Sequence, residues 1–341
     1  VVNDAGLNFA ASTVGGALSA TATTGNIIDA GALTITGTST FVTIANDATI
    51  TLDQGGHAFT GALLITTNDT STDTAGDVTI SAGSSAALDF GNSTIDGDLI
   101  ATSSNATGIT DSGAMTVRGT ASFRTTAANA DISLGTSTLG DGTGTDTITL
   151  NTTGSTGHAT LDNGTTVVAL GTSAASLVTS VGGNLTLTSG AAAGITDSAT
   201  VTVGGNLIAT TDANSGAIDL GTLAVDGTMA LTTHGTGAAI VVNDAGLNFA
   251  ASTVGGALSA TAAAGNITDS GVLDITGTST FTVANGQSVI LTESSTFATV
   301  TFAASAGGTI ASVTINDSNA LDLGTLTTTG DLTVTAGGNI T

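Results

Sequence analysis

The sequence predicts an all-β fold in which short parallel strands stack coil upon coil, a β-solenoid. Three observations carry that expectation: a long internal repeat, period-two alternation of apolar residues, and the complete absence of proline. Residues 1–27 (VVNDAGLNFAASTVGGALSATATTGNI) recur at 241–267, changed only where Thr23 and Thr24 become Ala263 and Ala264. Self-similarity of this kind is the signature of a repeat architecture. The match continues loosely through Phe41 and Phe281, slips by seven residues, and resumes where ALDF (Ala87 to Phe90) and GDL (Gly97 to Leu99) pair with ALDL (Ala320 to Leu323) and GDL (Gly330 to Leu332). Residues 1–341 therefore read as one continuous solenoid segment, a large repeat 1–240 followed by a partial second copy 241–341.

A shorter period lies inside the large one. Gly183, Gly205, Gly227, Gly256 and Gly277 close successive strand-like runs at spacings of 22, 22, 29 and 21, and Asp197, Asp219, Asp244 and Asp269 interleave at 22, 25 and 25. Two markers with one period argue for a coil of about 22–25 residues, and so for roughly 14 coils. Runs such as NLTLTS (Asn184 to Ser189), TVTV (Thr200 to Val203), ALTIT (Ala32 to Thr36) and DLTVT (Asp331 to Thr335) alternate apolar and polar residues, the pattern of strands. A coil of that length has room for about three short strands and three turns, and stacking pairs each strand in parallel with its counterparts. Proline is excluded because a strand between two neighbours needs its N–H. The 48 glycines are expected at corners, where positive φ is needed. Inward positions fall to Leu, Ile, Val, Ala and the nine Phe, with Phe9 equivalent to Phe249 and Phe41 to Phe281.

Composition removes several function classes. The chain carries 26 acidic and 2 basic side chains, a formal net charge of −24. Glu293 is the one glutamate, and Arg118 and Arg124 are the basic residues. Nothing here could neutralise nucleic-acid phosphates. With no cysteine there is no disulfide framework, thiol chemistry or cysteine zinc site. No stretch of 18 apolar residues exists to form a transmembrane helix. The first residues lack the pattern of a secretion signal, so an export signal is expected outside this segment.

The motifs ITDSG (Ile109 to Gly113, Ile267 to Gly271), ITDSA (Ile195 to Ala199), VGGNLTLTSG (Val181 to Gly190) and GDLTVTAGGNIT (Gly330 to Thr341) resemble the repeats of filamentous haemagglutinin-like bacterial surface proteins. The resemblance spans essentially the whole chain and implies a right-handed parallel β-helix, export to the cell surface, and work as a long stalk or adhesin. No two-partner secretion domain is visible.

Candidate chemistry is sparse. Polysaccharide lyases share parallel β-helices but need a base and sugar platforms; only Arg118 and Arg124 are available, without Lys, Tyr or Trp. His57, His158 and His234 stand alone in Gly- and Thr-rich stretches and read as surface turn residues rather than metal ligands. A threonine face that orders water is interrupted by Arg118 and Asp274, so the Thr content reads as β-propensity on solvated strands. The aspartate series is the one candidate site. Asp4, Asp29 and Asp53 echo Asp197, Asp219, Asp244 and Asp269, and successive members are expected to stack. At the spacing of adjacent coils, repulsion costs about 0.8 kcal/mol per pair even in water. The carboxylates then either serve Asx-turns at corners or form a ladder bridged by a cation such as Ca2+.

The function expected from the residues is structural: a segment of a giant extracellular filament, sheath or surface stalk, without catalysis. The alternative is a module that binds glycans or neighbouring cells through one lateral face. Partners are further coils, by self-association or chain continuation. The closing GGNIT (Gly337 to Thr341) stops inside a motif that elsewhere continues as DSG (Asp269 to Gly271), so a longer native molecule is expected.

Overall fold

The structure, a computed structural model, describes residues 1–68, 75–135, 137–141, 146–173, 176–212 and 214–341. It divides into two compact units, Val1–Gly183 and Asn184–Thr341. Each is a parallel β-solenoid, and the turns described total about 15. The one helical element among the described residues is the single 3-10 turn Ser305–Gly307.

In the first unit Leu18–Ala22 lies beside Ser39–Thr43, which lies beside Leu63–Thr66, all parallel. In the second unit Leu185–Ser189, Leu207–Thr211 and Thr228–Thr232 follow one another in the same way. Coil lengths spread more widely than the glycine and aspartate markers suggest. Val2 stands opposite Thr21, 19 residues on, whereas Asn151 stands opposite Ser180, 29 residues on. Long coils absorb the surplus in register shifts. Within Ile50–Phe59, Leu52 faces Ile80 and His57 faces Ala82, so the residues between Leu52 and His57 leave the ladder together.

Alternation builds the core. Leu185 and Leu187 of Leu185–Ser189 are fully buried while Thr186 and Thr188 turn outward. Phenylalanines meet edge to face between coils: Phe41 lies 6.1 Å from Phe9 and 6.2 Å from Phe59, and Phe281 lies 6.4 Å from Phe249 and 6.0 Å from Phe297. The repeat equivalence of Phe9 with Phe249 and Phe41 with Phe281 is thus an equivalence of contacts. Buried threonines close the corners, each hydroxyl donating to the carbonyl five residues on. Thr43 does so to Ala48 at 3.1 Å, Thr125 to Ala130 at 3.0 Å and Thr211 to Gly216 at 2.8 Å.

The glycines serve the expected purpose in part and a second one besides. Ten described glycines have positive φ; most others are required because neighbouring coils come too close for a side chain. Gly237, Gly256 and Gly277 form one column, the Gly256 N–H donating to the Gly237 carbonyl at 2.8 Å and the Gly277 N–H to Gly256 at 3.0 Å. A Cβ on Gly277 would sit 2.6 Å from the Gly256 carbonyl carbon, a contact only backbone movement could relieve.

Leu207 is 0% exposed, and replacing it with Asp puts an unpaired charge into the stacked core. The expected loss is about 3 kcal/mol or more in urea denaturation. An unchanged midpoint would show that the inward register is wrong.

Candidate functional site

Four strands, Ile27–Asp29, Ile109–Asp111, Ile195–Asp197 and Ile267–Asp269, share a design. The isoleucine is inward and fully buried, the middle residue faces outward, and alternation aims the aspartate back toward the corner, where it is half-buried. There the carboxylate meets N–H groups of the next coil's turn. Asp197 accepts from the Gly221 N–H at 2.8 Å, the Thr222 N–H at 2.9 Å and the Thr222 hydroxyl at 2.8 Å. Asp269 accepts from Thr292 at 2.7 Å and Glu293 at 3.1 Å, Asp29 from Asp53 at 3.2 Å and Gln54 at 3.4 Å, and Asp111 from Gly135 at 2.9 Å. Apart from the Thr222 hydroxyl, the donors are backbone N–H groups that the bending chain has taken out of the ladder. The recurring I-x-D followed 23 to 25 residues later by the capped turn is the signal that would have found this role in the sequence.

The expected stack of aspartates does not form. Asp219 faces solvent opposite Thr196 and Ile240, Asp244 is exposed just beyond Asn243, and Asp269 stands opposite Phe249. Asp197, Asp219, Asp244 and Asp269 therefore occupy different columns, because unequal coil lengths bring equal sequence spacings to different places. Asp4 and Asp53 are likewise exposed, whereas the Asp29 side chain is enclosed against His57. Among the described residues no group of three or more His, Asp or Glu side chains is arranged to hold a metal ion.

A second corner repeats the same chemistry with and without charge. Asp77 accepts the Asp98 N–H at 2.9 Å and Asp98 the Thr120 N–H at 2.7 Å. In the second unit Asn184 accepts the Asn206 N–H and Asn206 the Thr228 N–H, both at 2.9 Å. A neutral amide oxygen replaces the carboxylate, so these positions require an acceptor rather than an anion. Burial pushes the Asp98 carboxyl above its ordinary value, opposed by the Thr120 bond and reinforced by Asp77.

The histidines divide. His158 and His234 are exposed as expected, His234 Nδ1 donating to the Thr211 carbonyl at 2.6 Å. His57 is not a surface turn residue: it lies within Ile50–Phe59, fully buried. Its ring stacks on Phe59 at 5.4 Å, Nε2 is 2.9 Å from Asp29 Oδ2, and Nδ1 accepts the Leu33 N–H at 2.9 Å. Because Nδ1 accepts the Leu33 N–H, the imidazole is neutral and carries its proton on Nε2, beside Asp29, so its one lone-pair nitrogen is already occupied. Burial lowers the His57 pKa, with Asp29 opposing the shift.

Arg118 is exposed and pairs with the nearly buried Asp96 at 3.2 Å. Arg124 is exposed in Ala121–Ala128, which stacks with Leu99–Ser103 and Ile148–Thr153, whereas Met115–Val117, just before Arg118, stacks with Ser93–Ile95 and Ser137–Leu139. The two arginines thus belong to separate columns. All of the phenylalanines except the half-buried Phe9 are fully enclosed, at 5% exposure or less. A hollow of about 330 Å³ in the second unit, lined by Thr200, Thr222, Leu223, Val242 and Asp244 among others, offers no aromatic ring.

A family model described as "Repeats of unknown function (DUF5649)" matches residues 1–66, 75–138, 236–304 and 310–341. Its segments follow the internal repeat, 1–66 with 236–304 and 75–138 with 310–341. No curated protein and no solved structure gives a significant match.

Replacing Asp197 with Ala removes the acceptor of three hydrogen bonds and is expected to cost about 2 kcal/mol, whereas Asp219→Ala changes stability by less than about 0.5 kcal/mol. Equal effects in urea denaturation would contradict the capping role. For His57 the folded pKa lies below the unfolded 6.5, so its stabilising contribution is complete above pH 6.5 and is lost as pH falls through the lowered folded value. The urea midpoint of the wild type should therefore drop more steeply below pH 6.5 than that of His57→Gln; parallel profiles would exclude the effect.

Proposed function

We propose that this chain, which belongs to the DUF5649 repeat family, is a non-catalytic structural segment of an extracellular filament or surface stalk. The observation that carries this reading is where its polar side chains point. The Asp, Asn, Thr and His groups best placed for chemistry bond to the neighbouring coil, across separations of about one turn: Asp29 to Asp53, Asp98 to Thr120, Asn206 to Thr228 and His57 to Leu33. Such groups hold coils together. The alternative of a glycan-binding face lacks the exposed rings that sugar recognition commonly uses, since the phenylalanines are inward. The bacterial surface setting follows from the haemagglutinin-like motifs, and the acidic character suits a solvated exterior.

A load-bearing solenoid has a mechanical signature. Pulled from its two ends, the chain should unfold in steps of one or a few coils, each releasing about 60–100 Å of contour length for about 18–29 residues. A single low-force unfolding event would overturn the structural reading. Specific binding to a glycan array would favour the adhesive one instead.

A further inference from the structure

The long repeat fills the position of His57 in two different ways. Asp29 and Leu33 of the first copy correspond to Asp269 and Leu273 of the second. In both copies the aspartate accepts two N–H groups from the bend of the following coil, those of Asp53 and Gln54 in the first and of Thr292 and Glu293 in the second. Both bends then return to the ladder with an inward phenylalanine, Phe59 opposite Ile35 and Phe297 opposite Ile275. Two residues before each phenylalanine stands the acceptor for the leucine. The Leu33 N–H donates to His57 Nδ1 at 2.9 Å, and the Leu273 N–H donates to Ser295 Oγ at 3.0 Å. His57 and Ser295 are both 0% exposed. The same task falls to Ser93 for Ile65 and to Ser252 for Leu231. The position therefore requires an acceptor, and a hydroxyl suffices.

What the imidazole adds is an affinity for protons in the range of mild acid. A hydroxyl oxygen accepts at every pH, whereas Nδ1 accepts only while its lone pair is free. A second ring proton sets Nδ1–H against the Leu33 N–H, donor against donor, in a fully buried place. The charged groups facing the ring are Asp29, 2.9 Å from Nε2, and Asp53 on the same strand as His57; Leu33–Ile35 in the coil before and Val78–Ala82 in the coil after bring none. Burial opposes the second proton more strongly than Asp29 and Asp53 favour it, so the closed corner holds His57 below its ordinary 6.5. An opened corner returns the ring to water and to that ordinary value. Opening and protonation are thereby linked: the open population grows as pH falls below 6.5 and levels off once the lowered closed value is passed.

We propose that His57 is an acid-responsive clasp on the bend of Asp53, Gln54, Gly55 and Gly56, which a second ring proton releases while the corner closed by Ser295 stays shut. All four residues of the bend are exposed, and they lie between Leu52 and His57, where the chain leaves the ladder. The Asp29 carboxylate holds one end of the bend and the His57 ring anchors the other. Loss of the ring's hold uncovers Phe59, on which it stacks at 5.4 Å, so one corner loosens while the ladder on either side persists. The clasp is independent of the filament reading above, because it depends only on contacts between adjacent coils.

Amide hydrogen exchange followed by NMR on the whole chain reads both corners in one sample. From about pH 7.5 to about pH 5, with the intrinsic exchange rate divided out, protection of the Leu33 amide should fall at least about tenfold. Leu273 should change by less than about twofold, as should Leu99, which lies in the same unit as His57 but donates to the Thr120 carbonyl. His57→Ser, which installs the side chain used by the second copy, should abolish the difference between the two pH values at Leu33. Unchanged Leu33 protection would show a corner that stays closed, and equal losses at Leu33 and Leu99 would show unfolding of the whole unit. A pH dependence that survives in His57→Ser would place its origin elsewhere. Each of these three results overturns the clasp. Should the variant fail to fold, the comparison of Leu33 with Leu273 and Leu99 in the wild type still decides.

Discussion

Everything in this molecule depends on backbone groups finding partners one coil away. A parallel strand inside a stack has both edges occupied, so successive residues direct their N–H and carbonyl alternately to the coil before and to the coil after. Proline cannot do so and is absent. Close stacking also leaves no room at corners where backbone lies on backbone, which explains the Gly237, Gly256 and Gly277 column better than torsional freedom does. Where the chain bends and the ladder lapses, side-chain oxygens replace carbonyls. Asp29, Asp111, Asp197 and Asp269 do this with charge, and Asn184 and Asn206 without it.

The strands were legible in the sequence because alternation and repetition are local properties. Leu185, Leu187, Leu207 and the equivalent phenylalanines are inward as their pattern requires. The aspartates were misread for a geometric reason. Constant spacing predicts stacking only if every coil has the same length, and here offsets run from 18 residues (Ile310 to Thr328) to 29 (Asn151 to Ser180). Asp197 and Asp219 therefore drift out of register, and one caps a turn while the other faces water.

His57 escaped sequence reading for a related reason. Its neighbours Gly55 and Gly56 signal a turn, yet the chain re-enters the ladder at once and places the ring beside Phe59. Its two partners, Asp29 and Leu33, precede it by 28 and 24 residues, so only the fold brings them together. The pair joins adjacent coils at a corner and differs from the aspartate caps in carrying a ring that must remain neutral to accept the Leu33 N–H.

Unequal coils have a consequence for how such a chain can change over generations. After Leu52 and His57 the ladder resumes in step, with the excess residues confined to one bend. An insertion or deletion at a corner is therefore a local event, and the strands downstream keep their faces. Most folds punish a shift in spacing along the whole element that contains it. This one confines the disturbance to a single corner, so its genes can gain and lose codons between strands while natural selection acts on each turn separately.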